Sequence, residues 1–312
     1  MLSSNNTAAI RVNSITKNFG EIRALDQLNL SISPGEIFGL VGPDGAGKTT
    51  TIRILTTITE PDAGEAWILN KHTIKEAEPI KEDIGYMSQR FGLYGDLSVM
   101  ENLNFFADIY SVPRAERLKR TERLLAFSKL EPFKTRLARN LSGGMKQKLG
   151  LMCALIHTPK VLFLDEPTNG VDPLSRRDFW RILYQLLKEG VTIFVSTAYL
   201  DEAERCSRVG LLHQGKLLAC DTPKNIKQQM HASILELRVR QARQAALFLR
   251  QDLQFKGVNL FGDRIHVMTS TPESDSHKIT EAFRAHSLSL DEIRPAPPTL
   301  EDAFIAMLQP AS

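Results

Sequence analysis

The sequence predicts an α/β fold: a mixed β core with a parallel sheet, an all-α subdomain inserted in it, and a small C-terminal α+β domain. Three observations carry that expectation. Short β-branched or apolar runs alternate with helical stretches through residues 1–230, the pattern of βαβ units. The alternation lapses between residues 95 and 155, where no run reads as a strand and the charges follow a helical rhythm. After residue 230 the order of elements changes. At about 150 residues per domain, 312 residues suit two domains, placed at 1–230 and 231–312.

The elements follow in order. Strands are expected at Ile37–Val41, Ile84–Met87, Val161–Leu164, Thr192–Ser196 and Val209–His213. Helices are expected at Lys48–Thr57, Ala115–Phe127, Gly144–His157, Pro173–Lys188 and Leu200–Ser207. Asp172 is placed to cap the fourth helix, with Pro173 at its first position, where the missing N–H costs nothing. In the C-terminal domain the expected order is strand Ile234–Arg240, helix Ala242–Asp252, strand Arg264–Thr269 and helix His277–His286, with a last short helix in PTLEDAFIAML.

Composition excludes several classes. Hydrophobic residues make up 42% and charged residues 24%, as in globular chains and unlike disordered or collagen-like ones. No apolar run approaches the ~20 residues that span a bilayer, and the first residues, MLSSNNTAAIRV, show no secretory pattern; a cytosolic chain is expected. Thirty-nine Lys and Arg against 36 Asp and Glu leave a net charge of +3, too balanced to imply a nucleic-acid partner. The basic run Arg114–Arg139 is interspersed with Glu116, Glu122 and Glu131 and reads as a solvated helical face. Cys153, Cys206 and Cys220 form no CxxC pair, and no histidines show metal-ligand spacing.

One segment carries phosphate chemistry. Gly42, Pro43, Asp44, Gly45, Ala46, Gly47, Lys48 and Thr49 match GxxxxGK[ST] between a predicted strand and a predicted helix, the context this motif needs. The glycines let backbone N–H groups turn inward round phosphates, and the helix N-terminus adds partial positive charge. Lys48 is placed to reach the β- and γ-phosphates of a nucleotide, the Thr49 hydroxyl to bind Mg²⁺, and Thr50 completes the nucleotide-binding set. Downstream, the apolar run Val161–Leu164 ends in Asp165 and Glu166. A buried strand delivering Asp165 to the metal, with Glu166 activating the attacking water, is the matching second element.

Between these motifs, Leu141-Ser142-Gly143-Gly144-Met145 resembles the LSGGQ signature of ABC-type ATPases. Phe19 resembles the adenine-stacking aromatic, Gln89 the Q-loop glutamine that senses Mg²⁺ and the transport subunit, Asn169-Gly170-Val171-Asp172 the D-loop, and Ser196–Glu204 the switch region. GPDGAGKTT, SQRFGLYGDLSVMENL, LSGGMKQKLGL, STAYLDEAE and the trailing PTLEDAF are similar to the ATPases of ABC-2-type exporters, in the drug and multidrug branch. The resemblance implies Glu166, Lys48 and Gln89 as the catalytic set and Thr49, Gln89 and Asp165 as the metal set. It implies a homodimer or heterodimer of ATP-binding subunits, with ATP between the phosphate loop of one and Ser142, Gly143 and Gly144 of the other. It further implies docking on ABC-2-type permease subunits through residues 95–155 and the Gln89 loop, peripheral to the cytoplasmic side of the inner membrane.

Three positions depart from the family pattern. Asp44 stands where many members carry Asn and is expected to point away, toward the partner subunit. Met145 replaces the signature glutamine and is expected to pack against its helix. Ala198 stands at the switch histidine, which bonds the γ-phosphate; losing one preorganised donor costs ~10²–10³ in rate. Either hydrolysis is slow and the site mainly regulatory, or a different partner subunit supplies the histidine, or Tyr199 or a water substitutes for it without loss. A soluble non-transport ABC ATPase is the competing class.

Overall fold

The computed structural model describes residues 8–89, 92–230 and 232–308. Arg90 and Phe91, within the stretch read as the Q-loop, lie outside the described residues. The chain forms two compact units, Met1–Cys220 and Asp221–Ser312. In the first, the elements run β1 (Ile10–Phe19), β2 (Ile22–Ile32), β3 (Ile37–Val41), α1 (Lys48–Leu55), β4 (Ala63–Ile68), β5 (Lys71–His72), α2 (Ala77–Asp83), β6 (Ile84–Met87), α3 (Val99–Ile109), α4 (Arg114–Ser128), α5 (Gly143–Leu155), β7 (Val161–Asp165), α6 (Pro173–Lys188), β8 (Thr192–Thr197), α7 (Leu200–Ala203), β9 (Arg208–His213) and β10 (Lys216–Asp221).

The five strands anticipated from apolar runs all lie in one six-stranded sheet, in the order β10-β9-β3-β8-β7-β6. The pairs β9–β3, β3–β8, β8–β7 and β7–β6 are parallel. Strands β3, β7 and β8 are buried at every position, as strands covered on both faces must be. Because these neighbours run the same way, their carboxyl ends share one edge, and the loops after β3, β6, β7 and β8 all emerge there. That edge is where open α/β sheets bind ligands.

A second, four-stranded sheet, β2-β1-β4-β5, was not anticipated. Its long strands β1 and β2 hide from a period-of-two reading because their register shifts between Val12 and Ile15 and again up to Asn18. Ser14 (φ +47°) and Gln27 (φ +53°) sit in the left-handed region within them, so apolar residues change phase at each irregularity. Helix α1 packs against β2 and β4 of this sheet and β7 and β8 of the other. Ile10, Leu25, Phe38, Ile52, Phe163 and Phe194 meet in the core between.

The all-α segment is α3, α4 and α5, whose Val99, Leu103, Leu125, Leu149 and Met152 form a separate apolar cluster. Ser98 caps α3 in a reciprocal box with Glu101. Met145 packs against this cluster as expected. Cys153 and Cys206 are buried free thiols, and burial pushes both well above the ordinary thiol range. Among the described residues no helix is long and apolar enough to cross a membrane.

The second unit begins ten residues before the expected division at 230, because α8 (Pro223–Gln228) packs against the last helix of that unit. It continues β11 (Ser233–Arg238), α9 (Ala242–Gln251), β12 (Val258–Phe261), β13 (Arg264–Thr269), α10 (Pro272–Ala285), β14 (Glu292–Ala296) and α11 (Leu300–Leu308). The order β-α-β-β-α-β with an antiparallel sheet β12-β13-β11-β14 is the split-βαβ, ferredoxin-like arrangement. Leu235, Leu237, Ile265 and Val267 of the sheet pack against Ala245, Leu249, Ile279 and Phe283 of α9 and α10.

Candidate functional site

The phosphate-loop motif occupies the turn from β3 into α1. Two of its glycines are dictated by geometry. Gly47 has φ +108°, and a Cβ there would lie 2.5 Å from the Ala24 carbonyl oxygen; one at Gly42 would lie 2.2 Å from that of Leu212. Lys48 is buried, and its Nζ donates to the Gly42 and Pro43 carbonyls at 2.8 and 3.0 Å. The same ammonium pairs with Glu166 Oε1 at 3.1 Å.

Asp165 ends β7 opposite Ser196 on β8. Its Oδ1 accepts from the Ser196 hydroxyl at 2.6 Å and from the Thr49 hydroxyl at 3.2 Å. The parallel pairing of β7 and β8 thus joins the carboxylate to the first turn of α1. Glu166 follows with φ +48°, a conformation costing about 1–3 kcal/mol for a non-glycine residue and typical of functional positions. Its N–H is held by the Ser196 backbone and hydroxyl oxygens at 3.2 and 3.0 Å. Its Oε2 accepts from Gln89 Nε2 at 2.9 Å and Asn169 Nδ2 at 3.3 Å. Residues that follow β3, β6 and β7 therefore converge on one carboxylate.

Beside it is a small cleft lined by Asp44, Glu166, Thr168, Asn169, Thr197, Ala198 and Tyr199. Asp44, exposed in the phosphate loop, is among the residues that line this cleft. Below the cleft, the wholly buried Glu202 of α7 accepts from the Thr168 hydroxyl and, at 3.0 Å, from that of Thr197. Arg176 Nε reaches Glu202 at 3.3 Å. Asp172 caps α6 by accepting from Ser175 N–H at 2.9 Å.

The remaining anticipated residues sit elsewhere. Ser142 caps α5 by accepting from Met145 N–H at 3.3 Å. Gly143 opens that helix, and Gly144 lies so close to Ser175 that a Cβ would come within 2.5 Å of it. Gly144 therefore stands against the start of α6. Phe19 ends β1 exposed, with Lys17 Nζ 5.6 Å from its ring centroid. Among the described residues no group of three or more His, Cys, Asp or Glu side chains is placed to hold a metal by itself. Thr49, Asp165 and Gln89 offer instead a hydroxyl, a carboxylate and an amide, hard oxygen donors of the kind Mg²⁺ takes in part from protein and in part from phosphate.

The sequence profile of the ABC transporter family matches residues 25–169. The chain is 32% identical to the daunorubicin resistance ATP-binding protein DrrA3 of Streptomyces coeruleorubidus, over 95% of each chain. The chain belongs to the ABC transporter family of ATP-binding proteins. It is also 43% identical to the probable multidrug ABC transporter ATP-binding protein YbhF of Escherichia coli (strain K12), covering 97% of this chain and 52% of that one. The chain thus spans about half the length of that curated relative. Among solved structures, the ATP-binding cassette MJ0796, dimeric in a post-hydrolysis state bound to ADP and Pi, superposes with a TM-score of 0.62 at 29% identity. That match covers 68% of this chain and 98% of the other. The fold is that of the ABC-type P-loop NTPases.

In this ABC chain, sequence reading passed over Ser196 as a ligand of Asp165, Asn169 as a donor to Glu166, and the Glu202–Arg176 pair under the cleft. Ser196 carried a partial signal, since it ends a predicted strand, as Leu164 does just before Asp165. Arg176 and Glu202 carried none, because their pairing needs α6 and α7 docked.

Proposed function

We propose that this chain hydrolyses ATP as a subunit of an ABC-2-type membrane exporter. It would work as one of a pair of ATP-binding subunits docked on permease subunits, peripheral to the cytoplasmic face of the membrane. The drug-resistance and multidrug names of its relatives support the export reading. The observation that carries hydrolysis is the placement of Glu166: one oxygen on Lys48 and the other on Gln89 and Asn169, beside a cleft roomy enough for water.

The chemistry follows from exchangeable partners. Lys48 holds two backbone carbonyls and Glu166; phosphate oxygens entering the loop replace Glu166 as its third acceptor. Freed from the ammonium, the Glu166 carboxylate accepts a proton from the water that attacks the γ-phosphorus, and the β–γ bridging oxygen leaves with the ADP. Gln89 and Asn169 keep the carboxylate aimed while this happens. Backbone N–H groups of the phosphate loop and the α1 N-terminus hold the charge. Thr49, Asp165 and Gln89 would hold a Mg²⁺, which when bound supplies neutralisation of charge on the phosphate oxygens. Phe19 is exposed to stack on adenine, and Ser142, Gly143 and Gly144 offer the N-terminus of α5 to nucleotide held by the other subunit.

Phosphate release by the purified chain with MgATP, alone and with its permease, tests this reading. Glu166→Gln should keep ATP binding, accumulate an ATP-bound pair on gel filtration and lose about 10²–10⁴ in turnover. No turnover by the wild type in either setting, or full turnover by the variant, would sink it. Ala198 favours a second reading, a largely regulatory site beside a histidine-bearing partner. Ala198→His should then raise turnover at least tenfold, recovering part of the ~10²–10³ one donor supplies.

A further inference from the structure

With the Ala198 side chain offering no polar atom, the next side chain of the switch segment takes on a role. Tyr199 is half-exposed over the cleft, and its hydroxyl reaches Asn169 Oδ1 at 3.4 Å. Asn169 in turn donates to Glu166 Oε2 at 3.3 Å. Both contacts are long, in the range catalytic contacts occupy before tightening round a bound substrate. Asn169 is an amide, so with its oxygen engaged by a hydroxyl donor its Nδ2 must face Glu166. The tyrosine therefore fixes which end of Asn169 meets the carboxylate.

Tyr199 is itself held. The Arg176 guanidinium lies 4.5 Å from its ring centroid, a cation–π distance. Arg176 is anchored by Glu202, which is 0% exposed and also ties Thr168 to Thr197. The Thr197 hydroxyl further accepts from Tyr199 N–H at 3.0 Å. The buried carboxylate thus fixes the backbone on both sides of the cleft and the cation that clamps the ring.

We propose that Tyr199 is a positioning residue that orients Glu166 through Asn169, clamped by the Arg176–Glu202 pair. This deepens the hydrolytic reading above and rests on it. In the transfer step Tyr199 keeps its proton; only the attacking water loses one, to Glu166.

Tyr199→Phe removes the hydroxyl and keeps the ring under Arg176, so it isolates the claim from folding. With the full-length chain and its permease, turnover should fall about tenfold, the worth of one hydrogen bond, while KM for ATP and fluorescent-nucleotide affinity stay unchanged. Asn169→Ala should show a similar fall, and combining the two should add little to either. Unchanged turnover in Tyr199→Phe, a rise in KM that accounts for the loss, or losses that multiply in the double variant would each overturn the proposal. Those outcomes leave hydrolysis standing as long as the wild type turns over and Glu166→Gln does not. A wild type without turnover removes both readings together.

Discussion

Two polar clusters, one in each unit, are built on opposite terms. In the ATP-binding unit Lys48 and Glu166 are held by partners that a ligand can replace: carbonyls, one another and two amides. In the C-terminal unit His266 is enclosed by partners that nothing replaces. Its Nδ1 meets Asp302 Oδ2 at 3.0 Å and its Nε2 lies 3.5 Å from Glu236. Asp302, wholly buried at the start of α11, also accepts from the Thr299 N–H and hydroxyl at 3.0 and 2.7 Å. Glu236 is tied to Arg264 and Arg294. Hydrogen bonds from Arg294 and then Arg264 outweigh the cost of partial burial and hold the Glu236 carboxyl at about 2. One cluster is open and poised for exchange; the other is closed and pins α11 to β13. On the proposed reading burying charge serves reaction in the first cluster; in the second it serves architecture.

That contrast breaks first at Asp302. Asp302→Ala leaves His266 buried against Glu236 alone and strips Thr299 of its acceptor. Removing one member of a buried pair costs about 3–5 kcal/mol, so a thermal melt of the full chain should show early loss of the C-terminal unit. The reciprocal variant is Lys48→Ala. It should lower ATP turnover by about 10² or more, yet move the melt little, since Glu166 keeps Gln89 and Asn169. If Asp302→Ala left the melt untouched, or if Lys48→Ala unfolded the protein, the distinction between the clusters would fail.

The legibility of the two clusters differs for the same reason. Phosphate binding demands fixed residue types at fixed spacing, so Gly42 to Thr49, Asp165 and Glu166 stand out in the sequence, and so do the continuous apolar strands that carry them; Gln89 came only with the family resemblance. Nothing local demands a histidine 36 residues before an aspartate; His266 and Asp302 meet only because α11 folds back on β13. Strands β1 and β2 stayed hidden because irregularities at Ser14 and Gln27 break their alternation. Strand β12 is only four residues long, and β14 carries Pro295, which depletes the strand signal. Period and motif are visible in one dimension; partners brought together by docking are not.

The finest test of the comparison is pH, because the closed cluster is built round a histidine held between two carboxylates. Burial pushes His266 down, but its hydrogen bonds and charge attraction to Asp302 and Glu236 outweigh this and leave it above its ordinary value. A raised folded value means the imidazolium contributes stability fully below the unfolded pKa of about 6.5. That contribution is lost as pH rises through the folded value. Asp302 runs the other way: burial raises it, the bonds from His266 and Thr299 outweigh that, and its contribution disappears only as pH falls through its lowered value. The clip holding α11 is therefore firmest between those two limits and loosens on the alkaline side. Hydrogen exchange of α11 amides should speed up as pH rises from 6 to 9, beyond the intrinsic base dependence, and His266→Gln should abolish that excess. An excess that survives in His266→Gln would place the sensitivity elsewhere and remove the reason for calling this cluster closed.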